Sequence, residues 1–542
     1  MIKGPFAFGV TVTLVMPPNI AARCPGRRGI SRVRGLVVLC AGLTACLAER
    51  GPFTNRMAHS GTSYLTRAAR QPVKWQPWGR DAFALAARLD RPVLLYVGND
   101  TCQWCTETDR AIYTDPEIGA LINTLFVPIR VDRDERPDIA QRYQSAVERL
   151  AGLRGWPLTV FLTADGSPFF GGTYFPADDP ITGRGLKQLL PEIARSYRDQ
   201  RSLIMQQAAV VRRLVLASTG EVRGVLRESL VRQGIEAVAR DLNDAVAAGM
   251  AGGSVMHVEA VSLLLTESAR FRDTNALAVA RQALDLMLDT AANVAAGDDP
   301  PRLVRAALIG GLAKGWIVTG EQRYRDAGRL LIRALARHLP DIASLSGGGG
   351  GDAVFADQQS YVLENLMLAA VALGEPAVET RARAALDVLL QRSYARGWGV
   401  RHTVSGSSAS GTAAQGLLQD QVQVASACLV AHKLSGNRRY LDIALDLTAI
   451  LERRYSDPLG GYYDVAGVPP ASPQVLGERT KQPGANAAAA RLLAQLSDVT
   501  ADPSYRRRAQ ATLEAFAGNV ASAAPRVRNT TFLAAARETL KN

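Results

Sequence analysis

Cys102 and Cys105 stand three apart in "GNDTCQWCTET", residues 98–108 of a 542-residue chain that holds six cysteines. A pair so spaced can be a redox dithiol, half of a metal site or a small structural loop. A dithiol catalyst needs one reachable, ionisable thiol and a second thiol near enough to expel the mixed disulfide. The first turn of a helix supplies both, because its free N–H groups stabilise a thiolate on the first cysteine while the second faces inward. Here the pair follows an apolar run, "RPVLLYVG", and a Gly98–Thr101 loop, where such a turn belongs. Cys102 is read as the nucleophile and Cys105 as the resolving thiol. Zinc would need four ligands; there is no second cysteine pair, and His59, His257, His338, His402 and His432 are remote in sequence, so no metal is expected. A purely structural bridge would close too short a loop to stabilise much.

Other residues bear on the same chemistry. Pro157 opens a strand in "GWPLTVFL", and Trp156 precedes it. Trp104 and Trp156 offer an aromatic rim for an extended chain, or else belong to the core. No glycine-rich nucleotide fingerprint occurs, so no cofactor is expected beyond the redox-active disulfide, and electrons would come from a partner. Among the carboxylates, Asp357 and Asp420 open helices in Asp-Gln pairs and Asp464 follows "GGYY". Each also reads as a helix cap or a turn residue.

The elements that position the pair are α/β in texture. "RPVLLYVG" (91–98), "LFVPIRVD" (125–132) and "PLTVFLT" (157–163) read as buried strands, and the helix between the first two breaks near Asp115-Pro116. Asp165-Gly166 turns into a further strand. Beyond about residue 185 the chain is almost all helical, and one plan recurs: a turn, then Tyr324, Tyr440 or Tyr505, then an amphipathic helix. Repeats 50 to 65 residues apart imply stacked helical hairpins closing into an α/α toroid. The expected layout is a signal segment (1–45), a linker (46–60), an α/β domain with the cysteine pair (61–198) and an all-α toroid (199–542).

The N-terminus holds Lys3, Arg23, Arg27, Arg28, Arg32 and Arg34 without an acid, then an apolar run too short to span a bilayer. "LTAC" looks like a lipoprotein box, which implies lipid on Cys46, a membrane anchor and an exported, envelope location; an ordinary secretory signal is the alternative. Without residues 1–45 the net charge of +13 falls to +7, spread along helices with no arginine-aromatic cluster, so no nucleic-acid partner is expected. Outside the cytosol a close pair can be oxidised. Cys428, inside "VQVASACLVAH", reads as a small buried hydrophobe.

"SYLTRAARQPVKWQPWGRDAF", "TCQWC", "VDRDERPDIAQRY" and "GWPLTVFLTADGSPFFGGTYFP" together resemble the spermatogenesis-associated protein 20 family. The resemblance implies a thioredoxin-like domain followed by a six-hairpin-glycosidase-like helical toroid. It also implies a cis proline at Pro157 lying against the cysteines. Family histidines beside the pair are replaced by Gln103 and Thr106, and Asp100 and Glu107 stand nearby, so Cys102 is expected to be a less acidic thiol and the pair a weaker oxidant. The family's polar toroid blocks are absent, with "GGSVMHVEAVSLLL" in place of one of them. An eroded toroid lining is therefore expected, and a thiol–disulfide oxidoreductase acting on protein thiols is favoured. A non-catalytic envelope scaffold and a carbohydrate-binding or carbohydrate-processing toroid remain the alternatives.

Overall fold

The computed structural model describes residues 53–179, 185–218, 221–249, 254–296, 301–337, 353–404, 416–467, 477–520 and 526–541. The signal segment and its Cys46 lie outside them, and Phe53–Asn542 form one compact unit. A short helix α1 (Ser63–Arg67) leads into β1 (Gln76–Pro77), α2 (Arg80–Leu89), β2 (Val93–Gly98) and α3 (Gln103–Thr108). A π-turn (Asp109–Tyr113), α4 (Pro116–Leu125), β3 (Val127–Asp132), α5 (Pro137–Ala151), β4 (Leu158–Leu162) and β5 (Pro168–Gly172) follow. The sheet order is β1-β3-β2-β4-β5, parallel from β1 to β2 and antiparallel from β2 to β5. This is a thioredoxin-like α/β layout.

Period-two alternation explains its layers. Val93, Leu95 and Val97 of β2 share a core with Phe83 of α2 and Tyr143 and Val147 of α5. Leu94 and Tyr96 face the other way, onto Cys105 and onto Ile118 and Ile122 of α4. The break between α3 and α4 falls where Asp115 caps α4, accepting from the Glu117 and Ile118 N–H groups at 2.8 and 3.3 Å. α6 (Leu186–Asp199) and α7 (Arg201–Ser218) complete this half. α7 lies beyond residue 198, yet it packs on α5 and β5 with Val215 in the sheet core.

The helical half pairs outer with inner helices. The outer ones are α8 (Glu228–Ala247), α10 (Thr274–Ala296), α12 (Gln322–Ala336), α14 (Pro376–Ser393), α16 (Arg438–Arg454) and α18 (Pro503–Glu514). The inner ones are α9 (Val255–Phe271), α11 (Arg302–Thr319), α13 (Ala356–Leu373), α15 (Leu418–Ser435), α17 (Pro483–Thr500) and α19 (Thr530–Thr539). Each inner helix packs on the next, and α19 returns onto α9, so the ring closes into an α/α toroid. The inner helices are apolar on most faces because they are packed on several sides. Two repeat tyrosines staple neighbouring outer helices: Tyr324 donates to Asp285 at 3.0 Å and Tyr440 to Asp387 at 3.1 Å. Gly320 and Gly436, at φ 70° and 69°, end the inner helices before those tyrosines.

Candidate functional site

Cys102 and Cys105 are joined in a disulfide, with Cys102 capping α3. Cys102 is half-buried and Cys105 fully buried, so only the first sulfur is open to attack. The Cys105 N–H donates to Cys102 Sγ at 3.1 Å, a contact that would favour a thiolate there. The acids expected to oppose ionisation are both neutralised: Asp100 by Arg67 and Glu107 by Arg110. The expectation of a less acidic Cys102 then rests on Gln103 and Thr106 standing in place of histidines rather than on these acids.

Trp104 is 62% exposed and lies 6.0 Å from the ring of Tyr174, forming an aromatic rim beside the disulfide. Trp156 is half-buried beneath the Arg133 guanidinium and packs against the same core cluster as Cys102. The Trp156–Pro157 bond is cis. The register that pairs Val97 with Leu158 sets Pro157 across from Gly98, just ahead of the cysteine loop. β4 is an interior strand rather than an edge; Pro157 is accommodated because it stands one residue outside the ladder.

Behind the disulfide lies an aromatic box that no sequence motif announced. Arg130 of β3 is fully buried, 4.0 Å from the centroid of Tyr64, 5.1 Å from Tyr96 and 5.7 Å from Trp75. Its guanidinium grips both oxygens of Asp109, at 2.7 and 2.6 Å, in the π-turn that continues α3. The fork geometry and low dielectric make this a strong charge-assisted pair. The Tyr64 hydroxyl is buried and has no hydrogen-bond partner among the described residues. Burial holds its pKa well above the ordinary phenol value, so it remains a donor. Leaving such a group unsatisfied costs about 1–3 kcal/mol. Asp132, where β3 ends, is pushed up to about 7 by burial and then by the Asp134 carboxylate.

The toroid encloses a cavity of about 810 Å³. Its walls include Glu259, Tyr361, Glu364, Gln423 and Arg491, and Asp138 of α5 reaches in from the thioredoxin-like domain. Glu259 accepts from Tyr361 and Thr531, both at 3.3 Å, and Glu364 from Gln423 at 2.6 Å. Burial raises the pKa of both glutamates and lowers that of Lys314. The lining thus mixes these polar groups with apolar side chains such as Leu263, Ile317 and Leu368. Glu259 comes from the very segment, "VMHVEAV", that stands in place of a family block.

Asp357 and Asp420 meet at the junction of the two halves. Neither is an N-cap: they lie in the first turns of α13 and α15, after Phe355 and Leu417. Between them sits buried His402, whose Nδ1 is 2.9 Å from Asp420 and 3.8 Å from Asp357. Its Nε2–H donates to the Asp134 carbonyl at 2.7 Å. Burial works against the imidazolium, but Asp420 and then Asp357 raise its pKa to about 10. Asp357 rises to about 6 through burial and then Asp420. Asp464 lies apart, accepting from Thr480 at 2.6 Å beside Arg142 of α5, which itself donates to Thr480 at 2.9 Å. The three aspartates thus serve the seam between the halves. Cys428 is buried in α15, where burial pushes its thiol up.

Residues 54–215 match the family model Thioredox_DsbH, described as a protein of unknown function, DUF255. The resemblance to the spermatogenesis-associated protein 20 family holds over this segment. The chain is 37% identical to human spermatogenesis-associated protein 20 over 163 residues, 30% of this chain and 21% of the relative. With the mouse protein of that name it shares 36% over 175 residues, 32% of this chain and 22% of the relative. The chain therefore spans about a fifth of the length of these curated relatives. Among solved structures it is similar to an unsaturated glucuronyl hydrolase specific for heparin (TM-score 0.46, 12% identity, 58% of this chain and 97% of that one). A second is the unsaturated glucuronyl hydrolase of Bacillus sp. GL1 (TM-score 0.45, 15% identity, 56% and 96%).

The residues missed in the sequence share a weak signal. Arg130 interrupts a Val- and Ile-rich strand, while Glu259, Glu364 and Arg491 interrupt apolar inner helices. A lone charge in an apolar element needs a partner or a cavity, but the sequence does not say which.

Proposed function

We propose that this protein is an exported thiol–disulfide oxidoreductase that works through Cys102 and Cys105 on protein thiols, with the toroid positioning substrate. The observation that carries the reading is the asymmetry of the pair: a half-buried Cys102 beside exposed Trp104, and a fully buried Cys105. A substrate thiolate can attack only the accessible sulfur, and the buried one is the leaving group. Pro157 across from Gly98 and the Trp104–Tyr174 rim suit an extended segment laid beside the disulfide. An unidentified thiol or disulfide partner would reset the pair, and lipid on Cys46 would hold the chain at the envelope. The test is acid-quenched trapping with Cys105→Ser in the full chain. Discrete adducts that vanish with Cys102→Ser support the reading; none from a folded, exported protein rejects it. Labelling with a radioactive fatty acid that is lost in Cys46→Ser tests the anchor.

A second reading makes the cavity the working part. Protonatable Glu259 and Glu364 with Arg491 around about 810 Å³ would suit a polar, sugar-sized ligand. Calorimetry of the Cys102→Ser protein against a panel of oligosaccharides separates the two readings.

A further inference from the structure

The Tyr64 hydroxyl, without a hydrogen-bond partner among the described residues, lies near the buried end of the disulfide. A Cβ built on Gly98 would meet Tyr64 Oη at 2.5 Å and Cys105 Sγ at 2.9 Å, so both atoms crowd the same glycine. Only a residue without a side chain leaves both of them room there. Tyr64 is 1% exposed and Cys105 fully buried, so both are shielded from bulk water. In the disulfide, Cys105 Sγ is bonded to Cys102 and the hydroxyl is left without a partner. Arg130, 4.0 Å from the ring centroid, draws electron density from the ring and makes the hydroxyl a better donor.

We propose that Tyr64 is the hydrogen-bond donor to the Cys105 thiolate that forms when the disulfide opens. The inference deepens the dithiol reading and rests on it for its biological meaning. The step balances as follows. A reductant thiolate attacks Cys102 Sγ and a new S–S bond forms there. The Cys102–Cys105 bond breaks and its electron pair passes to Cys105 Sγ, which accepts the Tyr64 O–H. In the reverse step the same contact holds Cys105 as a thiolate to expel the partner from Cys102. A tyrosine that is a structural cost in the oxidised state thus becomes satisfied in the reduced one.

The test uses dithiothreitol, a dithiol able to supply both electrons, so it does not depend on finding a natural substrate. Tyr64→Phe keeps the ring over Arg130 and deletes only the hydroxyl. Reduction by dithiothreitol should slow about tenfold, the loss expected for one hydrogen bond to a charged group. Expulsion of a glutathione adduct from Cys102 should shift its pH midpoint upward by about one unit. Oxidised Tyr64→Phe should melt no lower than the oxidised wild type, and reduced Tyr64→Phe should melt below the reduced wild type. An unchanged rate and pH midpoint would overturn the proposal. So would an oxidised variant that unfolds or melts early, since that would make the hydroxyl structural. Failure here with successful Cys105→Ser trapping would leave the oxidoreductase reading intact. The opposite result would confine the contact to a disulfide without substrates.

Discussion

The surroundings of the disulfide and the walls of the toroid cavity handle charge differently. Around the disulfide the buried Arg130 is gripped by Asp109, the more exposed Asp100 and Glu107 pair with Arg67 and Arg110, and buried Asp132 answers its burial with a raised pKa. The Tyr64 hydroxyl is among the neutral buried groups left without a partner. In the toroid, Glu259 and Glu364 are buried with only neutral hydrogen-bond donors, their pKa values are raised, and open space lies between the walls. The first region is arranged to change one of its own bonds. The second is arranged to receive something from outside, because unmatched polar groups around a void are completed by a ligand.

The sharpest way to break this contrast is to unmatch the first region. Arg130→Met leaves Asp109 buried without its fork, and removing one partner of such a pair costs about 3–5 kcal/mol. Urea unfolding should show a loss of that size; a change below 1 kcal/mol would mean that the box is not matched as described.

Next in size is the seam. His402→Phe keeps an aromatic ring against Phe355 but deletes the ionic contacts to Asp357 and Asp420. A loss of about 3 kcal/mol is expected near neutral pH. The pH window follows from the raised imidazole: its contribution is complete below the ordinary histidine value of about 6.5 and fades as pH rises through about 10. Wild-type stability should decline across that range, and the variant should lack this decline.

Asp132 has a signature of the same sign at lower pH. Its carboxyl titrates near 7 in the fold against about 4 in the unfolded chain, so folding takes up a proton between those values. Its contribution is largest below pH 4 and falls away towards pH 7. Denaturation midpoints measured between pH 4 and 8 should lose this slope in Asp132→Asn.

The smallest stability effect belongs to the rim. Trp104→Ala should move stability by no more than about 0.5 kcal/mol, because the side chain is mostly exposed. It should nevertheless slow exchange with a cysteine-containing peptide while sparing exchange with dithiothreitol. Equal slowing of both would remove the docking role and leave Trp104 as part of the disulfide's own scaffold.

The sequence carried the architecture further than it carried the site. Val93–Gly98 and Val127–Asp132 could be seen as strands because short, mostly apolar runs rich in Val, Leu and Ile suit a doubly covered sheet. The tyrosine repeats showed the hairpins, and two of the tyrosines, Tyr324 and Tyr440, reach the neighbouring outer helix. Cys102 and Cys105 were visible because their chemistry is local. Arg130 and Tyr64 were not, because their meaning depends on β3 and α1 meeting behind α3, a contact between residues 66 apart in the chain. Asp357 and Asp420 were noticed as helix-opening acids, but what unites them is His402, which lies in a loop and carries no helix-phase signal.

The return of α19 onto α9 has a mechanical meaning. An open stack of hairpins frays from its two terminal repeats, which is why such arrays need polar caps. A closed ring behaves like an arch with every stone wedged on both sides, and no hairpin here is terminal. The α9–α19 seam joins segments more than 250 residues apart, so closing the vessel carries a larger loop-closure cost than joining the two helices of any one hairpin.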